Sequence, residues 1–225
     1  MALAIDLFCG LGGWTEGLLL EGYRVIGFDN ERHQYGEARY PAELVLQDVL
    51  TLDGAQFKDA ALIVASPPCQ AYSYRAMPWK RAKALPPPDN SLFEACFRIQ
   101  REAIAAAGRF IPLVVENVCG AQKWVGKARW HYGSFYLWGD VPALMPPAKG
   151  IKNNGGSWFA VAHNTTSGKG QNPDGRKCGG DWFNADESSL MRRMASKSTA
   201  RKAASAHIAK IPLPLARWVA RAWKP

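Results

Sequence analysis

The strongest constraint on this chain's fold is a rhythm that begins at its third residue: short apolar runs, each closed by a turn, alternating with stretches of helical spacing. Leu3–Phe8 reads as a strand and breaks at Gly10-Leu11-Gly12-Gly13, after which Leu18, Leu19 and Leu20 carry a helical pattern. Tyr23–Phe28 reads as a second strand ended by Asp29, Leu44–Val49 as a third and Ala61–Ala65 as a fourth. Ser91–Ala107 has helical spacing through Leu92, Phe93, Cys96, Ile99 and Ile104, and Ile111–Val115 returns to strand. Strands separated by helices pair in parallel, and a parallel sheet is covered on both faces. The predicted class is α/β, a mostly parallel sheet with helices on either side.

The rhythm stops near Pro147. Lys149–Asn184 is rich in Gly and Asn with scattered cations, and Met191–Ala206 reads as a basic helix carrying Arg192, Arg193, Lys197, Arg201 and Lys202. Ile208–Trp223 supplies apolar residues that pack back on the main sheet. The chain is therefore divided into residues 1–148 (the main domain), 149–190 (a small loop-rich appendage) and 191–225 (returning helices). Lys and Arg number 28 against 19 Asp and Glu, a formal charge of +9. Such a surplus favours a polyanionic partner through phosphate neutralisation, though surface charge for solubility is the plainer alternative. The five cysteines are odd in number and scattered, with no C-x-x-C pair, so neither a metal site nor a redox dithiol is expected and a reduced cytoplasmic setting is. The N-terminus enters a strand directly, without the pattern of a secretion signal or a membrane span.

Two places carry chemistry. Asp6-Leu7-Phe8-Cys9-Gly10-Leu11-Gly12-Gly13 lies where the first strand turns into the first helix, where glycines admit a ligand to the backbone and the helix start offers free N–H groups. Asp29 ends the next strand, a position from which a carboxylate accepts from a ribose diol. A dinucleotide fingerprint wants a third glycine where Thr15 stands, which weighs against NAD. Further on, Ser66-Pro67-Pro68-Cys69-Gln70 follows the fourth strand, and two prolines stiffen the backbone that presents the thiol. A single cysteine is more often a small buried hydrophobe, but this one sits in a polar loop at the sheet edge where ligands bind. Glu116-Asn117 ends the following strand at that same edge, making a nucleophile and an acid/base group plausible neighbours.

Taken in order, these segments resemble the cytosine-C5 DNA methyltransferase family over roughly the first 120 residues. Asp6–Gly13 is similar to its cofactor loop, Asp29-Asn30 to its ribose-binding strand end and Asp48-Val49 to its adenine-binding turn. Pro67-Pro68-Cys69-Gln70 resembles the nucleophile loop, Asn90-Ser91-Leu92-Phe93-Glu94 the segment that brings Leu92 to the cofactor, and Val115-Glu116-Asn117-Val118 the Glu-Asn-Val motif. Lys210-Ile211-Pro212-Leu213-Pro214-Leu215-Ala216 is similar to the closing motif, with Ala209 in place of its usual asparagine.

The resemblance implies a Rossmann-like methyltransferase fold and S-adenosyl-L-methionine as cofactor. Asp6, Phe8, Cys9, Gly10, Leu11, Gly12, Gly13, Asp29, Asn30, Asp48, Val49, Pro67, Leu92 and Ile211 would hold that cofactor. It implies double-stranded DNA as partner and Cys69, Glu116 and Asn117 as catalytic residues. Ser66, Pro68, Gln70, Ser73, Tyr74 and Arg75 would meet the substrate. Tyr72, Trp79, Lys80, Arg81 and Lys83 extend that stretch, and aromatics among cations suit stacking and phosphate contact around a flipped base.

Two departures stand out. The family's Gln-x-Arg-x-Arg stretch is missing, and Arg129 within Lys127–Phe135 is the substitute for its base-contacting arginine. The segment carrying Trp158, Phe159, His163, Lys169, Arg176 and Lys177 is shorter than the usual target-recognition domain. Its brevity points to reduced sequence specificity, a very short target, or help from a homodimer partner or an accessory specificity partner, and to a compact phage- or prophage-type enzyme. The rivals are an RNA cytosine-C5 methyltransferase, whose Cys-Phe-Thr signature is lacking, and a non-catalytic DNA-binding relative, which would tend to lose Cys69 or Glu116.

Overall fold

The computed structural model describes residues 1–73, 84–145 and 209–225, together with Lys202 and Ala206. Among the described residues, nine strands run in chain order as β1 (Leu3–Leu7), β2 (Arg24–Asp29), β3 (Gln34–Tyr35), β4 (Ala38–Arg39), β5 (Glu43–Leu46), β6 (Ala60–Ala65), β7 (Leu113–Asn117), β8 (Trp130–Tyr132) and β9 (Phe135–Gly139). The helices described are α1 (Gly13–Leu20), α2 (Ser91–Ala107), α3 (Gln122–Val125) and α4 (Leu213–Ala222), and 3-10 turns cover Val49–Thr51, Gly54–Phe57 and Cys119–Ala121.

Seven strands form one sheet in the order β5-β2-β1-β6-β7-β9-β8, while β3 and β4 make a separate hairpin. Strands β5, β2, β1, β6 and β7 are mutually parallel, and β9 and β8 continue the sheet antiparallel. This is the mostly parallel α/β sheet that the alternation predicts.

Both faces are buried, and the two-residue period of a strand sorts the side chains between them. Ala4, Leu62, Val64 and Val114 pack with Trp14 and Leu18 of α1 and with Leu215, Ala216 and Val219 of α4. Ile5, Leu7, Ile63, Ala65, Leu113 and Val115 pack with Phe93, Cys96, Ile99 and Ala103 of α2 and with Val49, Leu52 and Phe57 of the turns. Helix α2 stops at Gly108, whose left-handed backbone (φ 63°) lets its N–H close on the Ile104 carbonyl.

The boundaries shift in ways that local chemistry explains. The predicted strand Leu44–Val49 is Glu43–Leu46, because Asp48 takes the Leu50 N–H and starts a 3-10 turn. The predicted Ile111–Val115 begins only at Leu113 and runs on to Asn117. Leu3–Phe8 ends at Leu7 because Phe8 takes a positive φ of 57°. The β8–β9 hairpin is absent from the sequence prediction, although Gly133-Ser134 between two aromatic runs is a two-residue turn signal. The appendage at 149–190 and most of the basic helix Met191–Ala206 lie outside the described residues. Among the described residues, no helix is long and apolar enough to cross a membrane.

Helices α1 and α4 touch closely because Gly17 faces Ala216. A methyl group on Gly17 would stand 2.5 Å from the Ala216 Cβ and 2.7 Å from the Arg217 nitrogen. Gly17→Ala should therefore lower the urea unfolding free energy by about 1–3 kcal/mol, although alanine is the better helix former.

Candidate active site

The turn after β1 is built from unusual backbone. Phe8 is the one non-glycine residue with positive φ among the described residues, and Gly10 and Gly12 follow at φ 50° and 78°. The Gly12 N–H closes on the Cys9 carbonyl at 2.7 Å, and the Gly10 N–H donates to Asp29 Oδ2 at 2.9 Å. Helix α1 then starts on Gly12 with no side-chain cap, so its first N–H groups stay available to a ligand. Next to Gly13 lies Ile211, whose backbone nitrogen would collide with any Cβ at that glycine.

Asp29 is buried at the end of β2. Its Oδ1 takes the Glu31 N–H at 3.3 Å and lies 3.6 Å from His33 Nε2. Burial opposes its ionisation most, but His33 and the Gly10 N–H together hold its carboxyl below the usual range. The same contact with Asp29 raises His33 above an ordinary imidazole.

A cavity of about 350 Å³ opens beside these groups, within the range of small-molecule pockets. Every residue assigned to the cofactor by resemblance lines it except Gly12 and Pro67. Ser66, Pro68 and Gln70, assigned to the substrate, line this same cavity. Its wall also includes Trp14, Glu31 and His33, which the sequence had not marked, and Ala206, Ala209 and Lys210, the last two at the closing motif. Trp14 at a helix start reads as core, yet its Nε1–H donates to Ser66 Oγ at 3.0 Å. His33 had a legible signal, four residues beyond Asp29 on the same turn.

The thiol end is held from below. Asn117 at the end of β7 is fully buried, and its Nδ2 donates to the Pro67 carbonyl at 2.9 Å while its Oδ1 takes the Val118 N–H. One amide thus ties the strand end bearing Glu116 to the loop bearing Cys69. Glu116 is itself buried, opposite Leu137 of β9. The loop turns tightly, with the Tyr72 N–H on the Cys69 carbonyl at 3.0 Å and Ser73 Oγ on that carbonyl at 2.9 Å. Tyr72 is buried and donates to Asn90 Oδ1, whose amide also reaches the Trp124 carbonyl. Asn90 therefore pins the loop instead of capping α2. Gly120 packs so closely on the Tyr72 carbonyl that no side chain fits there.

Four cysteines are described. Cys9 and Cys96 are buried, and burial pushes both thiols well above the usual range, whereas Cys69 and Cys119 are half-buried. Arg129 is exposed just before β8, where its N–H bonds the Leu137 carbonyl. It directly precedes the outermost strand, with β9 between that strand and the strand of Glu116. Tyr74 and Arg75 lie outside the described residues, as do Trp79, Lys80, Arg81 and Lys83.

Residues 3–123 match the family model for C-5 cytosine-specific DNA methylase, which is more than half of the chain. This chain belongs to that family. It is 34% identical over 79 residues to the type II methylase M.HgiDII of Herpetosiphon aurantiacus, a stretch covering 31% of this chain and 22% of that protein. The chain thus aligns with about a fifth of the length of this curated relative. Among solved structures, it is similar to the Dnmt2 methyltransferase of S. pombe (TM-score 0.38, 18% identity, 56% of this chain and 37% of that one). The methyltransferase EhMeth of Entamoeba histolytica is also similar (TM-score 0.39, 16% identity, 56% and 41%).

The family's cofactor is S-adenosyl-L-methionine, and the cavity suits it. Asp29 offers a carboxylate at the strand end, Gly10 leaves open space where a Cβ would stand, and Asp6 has one buried oxygen without a partner among the described residues.

Asn117→Ala would leave the Pro67 carbonyl without its donor. The expected loss is about 1–3 kcal/mol in urea unfolding, with larger loss of any activity that needs Cys69 and Glu116 together.

Proposed function

We propose that this chain transfers a methyl group from S-adenosyl-L-methionine to carbon 5 of cytosine in double-stranded DNA, with Cys69 as nucleophile. The observation that carries this is the 2.9 Å hydrogen bond from Asn117 to Pro67, which couples the Glu116 strand end to the Cys69 loop. Kinship with a family described as cytosine-specific DNA methylases, and likeness to a type II methylase, support DNA as the substrate.

Carbon 5 of cytosine is a poor nucleophile. Addition of the Cys69 thiolate to C6 forms a C–S bond and moves an electron pair of the ring to C5, which can then attack an electrophilic carbon. Glu116 hydrogen-bonds the ring and favours a proton at N3, which lessens the negative charge created by that attack. The bound cofactor supplies a methyl group activated on a sulfonium. Loss of the C5 proton to a base and expulsion of Cys69 then restore the aromatic ring and the free thiol. Asn117 acts as the positioning residue between nucleophile loop and carboxyl group.

A stacked cytosine cannot meet these groups, so the base is flipped out at a cost of a few kcal/mol. Residues 74–83, where aromatics alternate with cations, offset that cost by stacking and phosphate contact, whereas Tyr72 is buried on Asn90 and is not available to a base. Residues 149–190 act as a reduced target-recognition segment, so the target is short or specificity is shared with a second copy or an accessory partner. Arg129, exposed beside the carboxyl edge, contributes to DNA contact.

The test is methyl transfer from labelled S-adenosyl-L-methionine to unmethylated DNA, followed by mass spectrometry of the nucleosides. The parent should form 5-methylcytosine and Cys69→Ala none, while Glu116→Gln should lower kcat by about 10²–10⁴-fold. Absence of transfer to any DNA by a parent that binds the cofactor would sink the proposal.

A further inference from the structure

Three buried side chains beneath the glycine turn form a row that the reaction above does not use. Thr15 Oγ1 donates to Asp6 Oδ2 at 2.6 Å, and the Tyr40 hydroxyl lies 2.6 Å from the same Thr15 oxygen. Asp6 and Thr15 are 1% and 0% exposed, and Tyr40 is 8%. A carboxylate only accepts, so the Thr15 proton is committed to Asp6 and Tyr40 must donate to Thr15. The second Asp6 oxygen, Oδ1, is buried without a hydrogen-bond partner among the described residues, and Asp6 lines the cavity. A buried acceptor left unpaired is costly, which makes it a natural place for a ligand donor.

The chain makes room for this row. A Cβ on Gly27 would collide with the end of the Tyr40 ring and its hydroxyl, and one on Gly12 would meet Pro41 Cδ at 2.5 Å and Tyr40 Cδ2 at 3.2 Å. Two glycines thus admit Tyr40 and Pro41 beneath the turn. A ring placed there only to fill space needs no hydroxyl; this one ends on Thr15.

We propose that Tyr40 and Thr15 are positioning residues that hold the Asp6 carboxylate with Oδ1 toward the cavity, as acceptor for the ammonium group of the methyl donor's amino-acid end. This rests on the cofactor assignment made above and adds two residues to it. Burial is the main cause that pushes Asp6 up to about 7, Asp29 adds to it, and the Thr15 hydrogen bond opposes it. The other ionisable groups around Asp6 are Asp29 with His33, the Cys9 thiol and the Tyr40 phenol, both of the last two pushed up by burial. On the returning segment, Lys210 is paired with Glu16.

The sign follows from the raised value. Without ligand, Asp6 is mostly protonated at about pH 6; pairing with a cation favours the carboxylate, so binding releases a proton there and none at about pH 8.5. Removing the Thr15 or Tyr40 hydroxyl takes support from the carboxylate, which raises Asp6 further and extends proton release upward in pH.

Calorimetry of the full chain separates this from a merely structural role. The probes are S-adenosylhomocysteine, which carries the ammonium group, and 5′-methylthioadenosine, which lacks it, in buffers of different ionisation enthalpy. Thr15→Val and Tyr40→Phe should weaken S-adenosylhomocysteine roughly tenfold, leave 5′-methylthioadenosine within about twofold and shift proton release upward, while Thr15→Ser stays near the parent. Equal weakening of both probes, or unchanged affinity and proton release, would overturn the proposal. Failure of the parent to bind either probe would overturn the cofactor assignment itself, an outcome distinct from a parent that binds and variants that match it.

Discussion

Because the central strands of this sheet are parallel, neither of their faces can be left to water, and that constraint decides where chemistry can sit. Helices α1 and α4 cover one face, α2 and the 3-10 turns the other, and alternate residues of β1, β6 and β7 are apolar toward both. No polar side chain can stand mid-strand without a partner. The buried polar groups Asp6, Asp29, Glu116 and Asn117 all occupy the last two positions of their strands. At that carboxyl edge a helix start, a neighbouring loop or a ligand can satisfy them.

Groups along this edge bond backbone or side chains of other segments, and this converts a sheet edge into a shaped site. Asp29 holds the glycine turn through Gly10; Asn117 holds the Cys69 loop through Pro67; Trp14 reaches across to Ser66. Helix caps are given up in the process. Gly12 caps α1 only with its backbone, and the Asn90 side chain bridges Tyr72 and Trp124 instead of capping α2. Capping groups are each worth about 0.5–2 kcal/mol, so their diversion is a measure of how much the fold spends on fixing the loop.

The parallel core was legible from the strand–helix alternation, since a helix between apolar runs forces a crossover. Part of the cavity lining was legible too, because Asp29, Asp48 and the glycine turn follow strands that end at one edge. What escaped was contact between segments with no local signature. Tyr40 reads as a residue between elements, and its fit against Gly27 depends on two strands lying side by side. Gly27 inside an apolar strand was the available hint, since a glycine there often marks close approach. Arg129 was drawn from sequence position alone, and the β8–β9 hairpin sets it just before the outermost strand.

The end of the described chain closes the site from a distance of about two hundred residues, and electrostatics explain why it can. Glu21 lies at the C-terminal end of α1, where the helix dipole disfavours an anion. Arg221 and then Arg217 of α4 pair with it and lower its ionisation range, while Lys210 pairs with Glu16 one turn earlier. The acidic face of α1 thus selects the basic face of α4, and Gly17 lets the helices meet closely enough for the pairs to form. Docking α4 sets Ile211 against Gly13 and brings Ala209, Lys210 and Ile211 to the cavity wall. The pocket is complete only when α4 is seated, so a ligand that fills it also stabilises the α1–α4 contact by linkage.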